Sequence, residues 1–356
     1  MKTTANHIHA LLSLTLTPEL DAGRSYVTGL EDVHWPELLQ IAEAHHVTLR
    51  AFAPLLNLPA DSLSDRVLRR IRPAVEAEHR RIEEILPVLQ RICQAFAELG
   101  HPLIVIKSLD HWPDFGDDAD VYTNAHQKLV RTILMGTFCA TRKARTLGDR
   151  LANKQTYIIP GVSTHFEAHM QRLGQVGEQV AVAQRFLDHA QPVTANGYTF
   201  LVPAPEERVI AAALMRMYRH LHIRICDVLN TGKLIQQNVL DYNALRTASD
   251  SGGIWNGVAT YLSIVSDFHR KFAGRPLAVP ANVRRSALFG IEDLSIRGKF
   301  MKIPMLPEAS RLYGRQWAQT ARRGSISATV RLLMVPPLVS ASSTAYAVFG
   351  RGLRIW

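Results

Sequence analysis

The hydrophobic pattern of this chain changes at residue 101 and changes back near residue 204. On either side of that stretch, apolar residues recur at three- and four-residue spacing, which indicates helices with one buried face. Inside it, short apolar and β-branched runs alternate with polar segments, as buried strands do. The pattern predicts an α+β fold in which a small mixed β-sheet core is flanked by N- and C-terminal helical regions.

The helical pattern is clearest in residues 35–47 and 67–100, and the second of these ends at Gly100. Five strands and one helix are predicted in the central stretch: strands at 101–108, 118–123, 156–161, 163–170 and 197–203, and a helix at 125–140. Three further helical segments are predicted after it, at 205–237, 242–250 and 253–272.

These patterns divide the chain into four predicted regions. They are a helical N-terminal region (1–100), a core of mixed strands and helices (101–203), a helical C-terminal domain (204–318) and a basic, then apolar tail (319–356). For the tail, packing against the body of the protein is preferred to contact with a membrane surface or a partner, which stays the alternative.

The composition limits the class of partner and the compartment. With 41 basic and 31 acidic residues the net charge is +10, which favours anionic partners such as nucleotides, nucleic acid or a lipid surface without choosing among them. Three cysteines without a CxxC pair indicate a reduced protein without a cysteine zinc site. No apolar run reaches the roughly 20 residues of a spanning helix, so a cytoplasmic location and no transmembrane segment are expected.

An aspartate pair is the first candidate for chemistry. If Asp118 and Asp120 lie on one strand, their side chains project from the same face. Two adjacent carboxylates repel unless a cation lies between them, and Mg²⁺ prefers carboxylate oxygens while leaving sites for phosphate. The pair therefore predicts a Mg²⁺ site, with Mn²⁺ as the alternative ion.

A second acidic segment complements the pair. Strand alternation puts His165, Glu167 and His169 on one face, and Glu167 would be the third carboxylate of a catalytic and metal-binding set. A zinc site of the two histidines and Glu167 is the alternative. Lys107 and Ser108, at the end of the first predicted strand, would contact a triphosphate.

At these residues the chain resembles an uncharacterised nucleotidyltransferase family of the DNA polymerase β-like superfamily. The resemblance rests on Ile106-Lys107-Ser108, Asp118-Ala-Asp120-Val121 and Glu167-Ala-His169, with support from the segment at 222–229. The family usually has glycine where this chain has Ser108, and an arginine before the aspartate pair that is absent here.

The resemblance implies Mg²⁺-dependent transfer of a nucleoside monophosphate from an NTP, with ATP preferred, to a hydroxyl or phosphate acceptor. The acceptor stays open among a small molecule, a peptide and RNA. A basic cluster in the C-terminal region is a solvated face or lines the cleft; in the second case Arg216 and Arg219 would bind the nucleotide. Asp227 is expected to pair with an arginine. The alternative is an inactive nucleotidyltransferase fold that binds nucleotide, nucleic acid or a partner.

Overall fold

The computed structural model describes residues 2–17, 21–59 and 62–338. The N-terminal part is helical, as predicted, with helices α1 (Lys2–Leu16), α2 (Asp21–Gly29), α3 (Trp35–Ala44), α4 (Thr48–Leu56) and α5 (Asp65–Ala97). Helix α5 buries an apolar stripe that includes Ile71, Ile82 and Leu89 and exposes charged residues on its other side.

A five-stranded sheet follows α5 and has the order β1-β2-β5-β4-β3. Its strands are β1 (Ile104–Val105), β2 (Asp118–Thr123), β3 (Thr141–Arg142), β4 (Lys154–Ile158) and β5 (His165–Met170). Only β2 and β5 pair in parallel, and the other three pairings are antiparallel. The fold is therefore α+β with a mixed sheet, as predicted, although the strand predicted over 101–108 pairs over only two residues.

The segments between and after these strands hold shorter elements. They are α6 (Gln127–Arg131), which continues as a π-helical turn (Thr132–Thr137), α7 (Leu147–Leu151), α8 (Val180–Asp188) and a hairpin of β6 (Gln191–Ala195) and β7 (Tyr198–Val202). The last predicted strand is β7, but it pairs with β6 in a separate two-stranded sheet and not with the central one.

The C-terminal part is mainly helical and is interrupted twice by short strands. Its elements are α9 (Pro205–Ala213), a π-helical turn (Leu214–Arg219), β8 (His222–Ile223), α10 (Ile225–Gln236), α11 (Tyr242–Ser251), α12 (Trp255–Ala273), α13 (Ala281–Ser286), β9 (Ser295–Arg297), β10 (Phe300–Lys302), a second such turn (Met305–Ala309), α14 (Ser310–Arg322) and α15 (Ile326–Leu333). The prediction of one continuous helical stretch over 205–237 is wrong, because Leu221 adopts a positive φ and β8 pairs with β10, far along the chain.

A single cluster of buried apolar side chains runs from Ile8 in α1 to Leu312 in α14 and includes residues of β1, β2 and β5. The division into four regions stays a prediction. None of the helices described here is both long and apolar enough to cross a membrane. The predicted tail lies partly outside the described residues, which end at 338.

Candidate active site

The parallel pairing of β2 with β5 brings the predicted acidic segments together. Asp120 is the register partner of Glu167, and Asp118 is the partner of His165. The alternate residues Ala119 and Val121 point into the core and are fully buried. The sheet therefore carries the polar side chains of both strands on one face, as the alternation predicts.

Asp120, Glu167 and His169 form the tightest part of this face. The Nε2 atom of His169 lies 3.2 Å from Oδ1 of Asp120 and 3.2 Å from Oε1 of Glu167. Among the described residues, these three form the group whose potential ligand atoms all lie within 4.8 Å of one another. Two carboxylates and an imidazole at this spacing could hold a divalent cation.

Asp118 lies at the margin of this group. Its side chain is 48 % exposed, and its Oδ1 lies 3.6 Å from Nδ1 of His165. Burial, Asp120 and Glu167 raise the pKa of Asp118 to about 6. The predicted set of Asp118, Asp120 and Glu167 thus shares one face, while the compact cluster contains His169 in place of Asp118.

Two lysines neutralise the buried carboxylates. Nζ of Lys107 lies 2.7 Å from Oδ1 of Asp120, and Nζ of Lys154 lies 2.8 Å from Oε2 of Glu167 and 3.4 Å from Asp149. Burial by itself would raise the pKa of Glu167, but the hydrogen bond from His169 and the charge of Lys154 hold it well below its usual range. Glu167 is therefore ionised at neutral pH, whereas Asp118, with a pKa of about 6, changes its charge just below neutral pH.

A γ-turn at Lys107 sets the position of the first lysine. Lys107 has φ 68° and ψ −52°, and the Ser108 amide donates to the Ile106 carbonyl at 2.8 Å. This conformation is rare for residues other than glycine. The unusual backbone is therefore located at the residue whose side chain reaches Asp120.

Ser108 fastens this turn to β2. Its side chain is buried, its hydroxyl donates to the carbonyl of Asp118 at 2.9 Å, and the same oxygen accepts from the amide of Asp120 at 2.9 Å. A glycine at this position could make neither bond. The hydroxyl that was predicted to contact phosphate is thus engaged with the backbone between the two aspartates.

A cleft of about 220 Å³ opens beside the acidic face. Its lining includes the carboxylates of Asp117, Asp118, Asp120 and Glu167 together with five basic side chains: Lys107, Lys154, Arg216, Arg219 and Arg224. Both predicted arginines therefore reach this cleft. Their ion pairs differ in length. Arg216 is buried with its Nε 2.7 Å from Oδ2 of Asp227, whereas Nη2 of Arg219 lies 3.8 Å from Oδ1 of Asp149.

Arg224 is the cation of this cleft that has no carboxylate within ion-pair distance among the described residues. Its guanidinium is hydrogen bonded to Nε2 of His46 and lies over the ring of Phe300, 5.7 Å from the centroid. Burial and the neighbouring His111 hold the pKa of His46 well below its usual range, so its ring is neutral and accepts this bond.

A wider cleft of about 730 Å³ shares part of its lining with the first one. It runs between α5 and the β4–β5 connection, and its lining includes Arg80, Lys143 and Ser163. Asp118 and Glu167 line both clefts. The acidic face therefore borders both clefts.

Sequence reasoning missed Lys154. It counted Arg224 only as one member of the basic cluster of the C-terminal region, and it considered for His169 a role in orienting the carboxylate or contacting phosphate but not in binding Mg²⁺. His169 shares the face of Glu167 by simple alternation, so that signal was present in the sequence. Lys154 faces Glu167 only because β4 pairs antiparallel with β5, with Thr156 as the register partner of Glu167. Arg224 reaches the cleft through the interruption before α10, which the periodicity did not predict.

No protein-family model matches this chain, and no curated protein matches it. One solved structure that it resembles is the crystal structure of an antigenic nucleotidyltransferase-like protein from Paracoccidioides brasiliensis. The two chains are 15 % identical, and the match covers 48 % of this chain and 87 % of that one with a TM-score of 0.32. Similarity at this level carries no information about which residues act.

Proposed function

We propose that this protein is a metal-dependent nucleotidyltransferase that moves a nucleoside monophosphate from an NTP to an acceptor. The observation that carries the proposal is the pairing of Asp120 with Glu167 across parallel strands, with His169 bridging them, at the wall of a cleft lined by basic side chains. That combination suits a cation that itself binds phosphate.

The residues present fit a divalent metal ion. Asp120, Glu167 and His169 would hold it, Asp118 would supply a further carboxylate, and the donor set suits Mg²⁺ or Mn²⁺. When bound, such an ion would supply Lewis-acid stabilisation of the charge on the phosphates. Lys107 and Lys154, whose Nζ atoms now neutralise the acids, would then be released toward the triphosphate.

The basic cleft would receive the NTP. Arg224 and Arg219 would bind the β- and γ-phosphates together with Lys107, since each presents a cation to this space. Arg216 would act through its ion pair with Asp227, which anchors α10. Ser108 would position the aspartates through the β2 backbone, in place of the direct phosphate contact expected from the sequence.

The wider cleft would receive the acceptor, because Asp118 and Glu167 line it as well as the basic cleft. The acceptor oxygen would bond to the α-phosphorus while the bond to the β-phosphate oxygen breaks and pyrophosphate leaves. Asp118 is the more exposed of these acids and lines both clefts, so it is placed to take the acceptor's proton.

The proposal is tested by calorimetric titration of the four NTPs with Mg²⁺, followed by assays of pyrophosphate release. We expect Asp120→Asn to abolish metal-dependent binding and to lower turnover at least about a thousandfold. Asp32→Asn is the matched control, because Asp32 is exposed, pairs with Arg66 and Arg70, and lines neither cleft. No metal-dependent binding of any NTP by the native chain would refute the assignment.

A nucleotide-binding protein without catalysis is the second candidate. The observation in its favour is that both buried carboxylates already carry a lysine at 2.7 and 2.8 Å. Tight NTP binding that does not depend on metal, survives Asp120→Asn and releases no pyrophosphate would support this candidate over the enzyme.

A further inference from the structure

Helix α15 presents an apolar stripe on its outer side. Ile326 is 78 % exposed, Val330 is 54 % exposed and Leu333 is 53 % exposed. With 3.6 residues per turn, these three positions lie within about 60° of one another around the helix axis. We call these three residues the α15 stripe.

The opposite side of α15 is fixed to the body of the protein. Ala328 and Leu332 are buried, and the hydroxyl of Tyr313 in α14 donates to the carbonyl of Leu332 at 2.7 Å. Nη1 of Arg331 donates to the carbonyls of Leu151 at 3.2 Å and Val176 at 2.9 Å. Rotation of α15 that turned the stripe inward would break these hydrogen bonds. They therefore hold the helix with its stripe facing outward.

Positive charge surrounds the stripe. Between residues 305 and 338 the chain has five arginines and a single acidic residue, Glu308, which is buried. Arg322 and Arg323 lie at the end of α14, directly before Ile326, and both are exposed. Arg323 lies 3.8 Å from Asp250, and no carboxylate of the described residues lies within ion-pair distance of Arg322.

We propose that α14 and α15 form a docking surface for an anionic lipid bilayer, on which the protein lies without crossing it. A short amphipathic helix with large apolar side chains on one side and arginines at its margin binds in this way, since the apolar side chains enter the acyl boundary and the arginines meet lipid phosphates. Trp317, 37 % exposed on α14, is of the type that prefers this boundary.

Other occupants fit the surface less well. A nucleic acid would use the arginines but would leave the α15 stripe in contact with water, because the phosphate backbone offers no apolar area. A protein partner would need a face of its own that is both apolar and acidic to match the stripe and the arginines. The inference does not depend on the proposed catalytic function.

The test is co-sedimentation of the full chain with vesicles of phosphatidylcholine alone and with vesicles in which about a third of the lipid is phosphatidylglycerol. We expect binding to the anionic vesicles and weak binding to the neutral ones. The double variant Ile326→Ser/Val330→Ser should reduce the partition coefficient at least about tenfold. The double variant Arg322→Gln/Arg323→Gln should remove the preference for anionic lipid.

Val239→Ser is the matched control, because Val239 is 45 % exposed on a different surface, after α10. Absence of sedimentation with both vesicle types would overturn the proposal, as would equal binding by the serine double variant and the native chain. A native dimer that the serine substitutions dissociate would assign the surface to a second copy instead. A fall in melting temperature in the serine variant, without vesicle binding by the native chain, would assign it to residues 339–356.

Discussion

Asp120 and Glu167 are register partners on the two parallel strands of the sheet, and one nitrogen of His169 lies 3.2 Å from a carboxylate oxygen of each. The two acids come from segments 47 residues apart in the chain. A parallel pairing needs a crossover connection, and here α6, β3, α7 and β4 supply it. The crossover therefore creates the acidic face.

His169 is expected to determine metal affinity. The substitution His169→Phe retains a buried ring but removes the nitrogen that bridges Asp120 and Glu167. We expect the Kd for Mn²⁺ to rise about ten- to a hundredfold, measured by titration of the free ion's paramagnetic signal. His165→Phe is the control, since His165 lies beside Asp118 and Lys143 and is not a member of the compact ligand group. An unchanged Mn²⁺ affinity in His169→Phe would remove His169 from the site.

Ser108 is expected to act on the position of β2. In Ser108→Ala the Asp118 carbonyl and the Asp120 amide both lose their side-chain partner. We expect a loss of about 1–3 kcal/mol in the free energy of unfolding, measured in urea, with the Kd of Mg²⁺·tripolyphosphate nearly unchanged. The opposite pattern, a large loss of phosphate affinity at unchanged stability, would return Ser108 to direct phosphate binding.

Substitution of Arg224 should affect mainly phosphate binding, and substitution of Arg216 should affect mainly the free energy of unfolding. Arg224 has no carboxylate partner among the described residues, so Arg224→Ala should weaken tripolyphosphate binding about ten- to a hundredfold and leave the fold stable. Arg216→Ala leaves Asp227 buried without its counterion and should cost about 3–5 kcal/mol of unfolding free energy. Calorimetric titration and urea unfolding of both variants test the pair. Equal effects on stability would contradict this division of roles.

A buried histidine predicts how stability depends on pH. His45 is fully buried, its Nδ1 accepts from the Ile225 amide at 2.9 Å, and its Nε2 donates to the Lys299 carbonyl at 2.7 Å. Burial lowers its pKa to about 3. The unfolded chain therefore binds more protons than the folded one below about pH 6.5, and stability falls as the pH falls from there toward 3.

The slope attributable to His45 is on the order of 1 kcal/mol per pH unit. We expect His45→Gln to lower the unfolding free energy at pH 7 but to flatten its decline between about pH 6.5 and 4.5, measured by urea unfolding across that range. Parallel declines in the native chain and the variant would show that His45 does not hold a neutral ring in the fold.

The sequence by itself determined the local part of this protein. Periodicity located α3 and α5, and alternation put Asp118 with Asp120 and Glu167 with His169 on common faces, because both effects depend only on residues a few positions apart. The acidic character of the candidate site and the α+β class follow from such local patterns.

The tertiary structure decided what those faces meet. Strand order made Glu167 the neighbour of Asp120 and turned Lys154 toward it. The hydroxyl of Ser108 is hydrogen bonded to the β2 backbone. The pairing of β8 with β10 interrupts the predicted helix, and Arg224, which follows β8, lines the cleft. Each of these features depends on contacts between segments that are distant in the chain. Packing and the hydrogen bonding of buried polar groups determine those contacts, so local sequence patterns do not predict them.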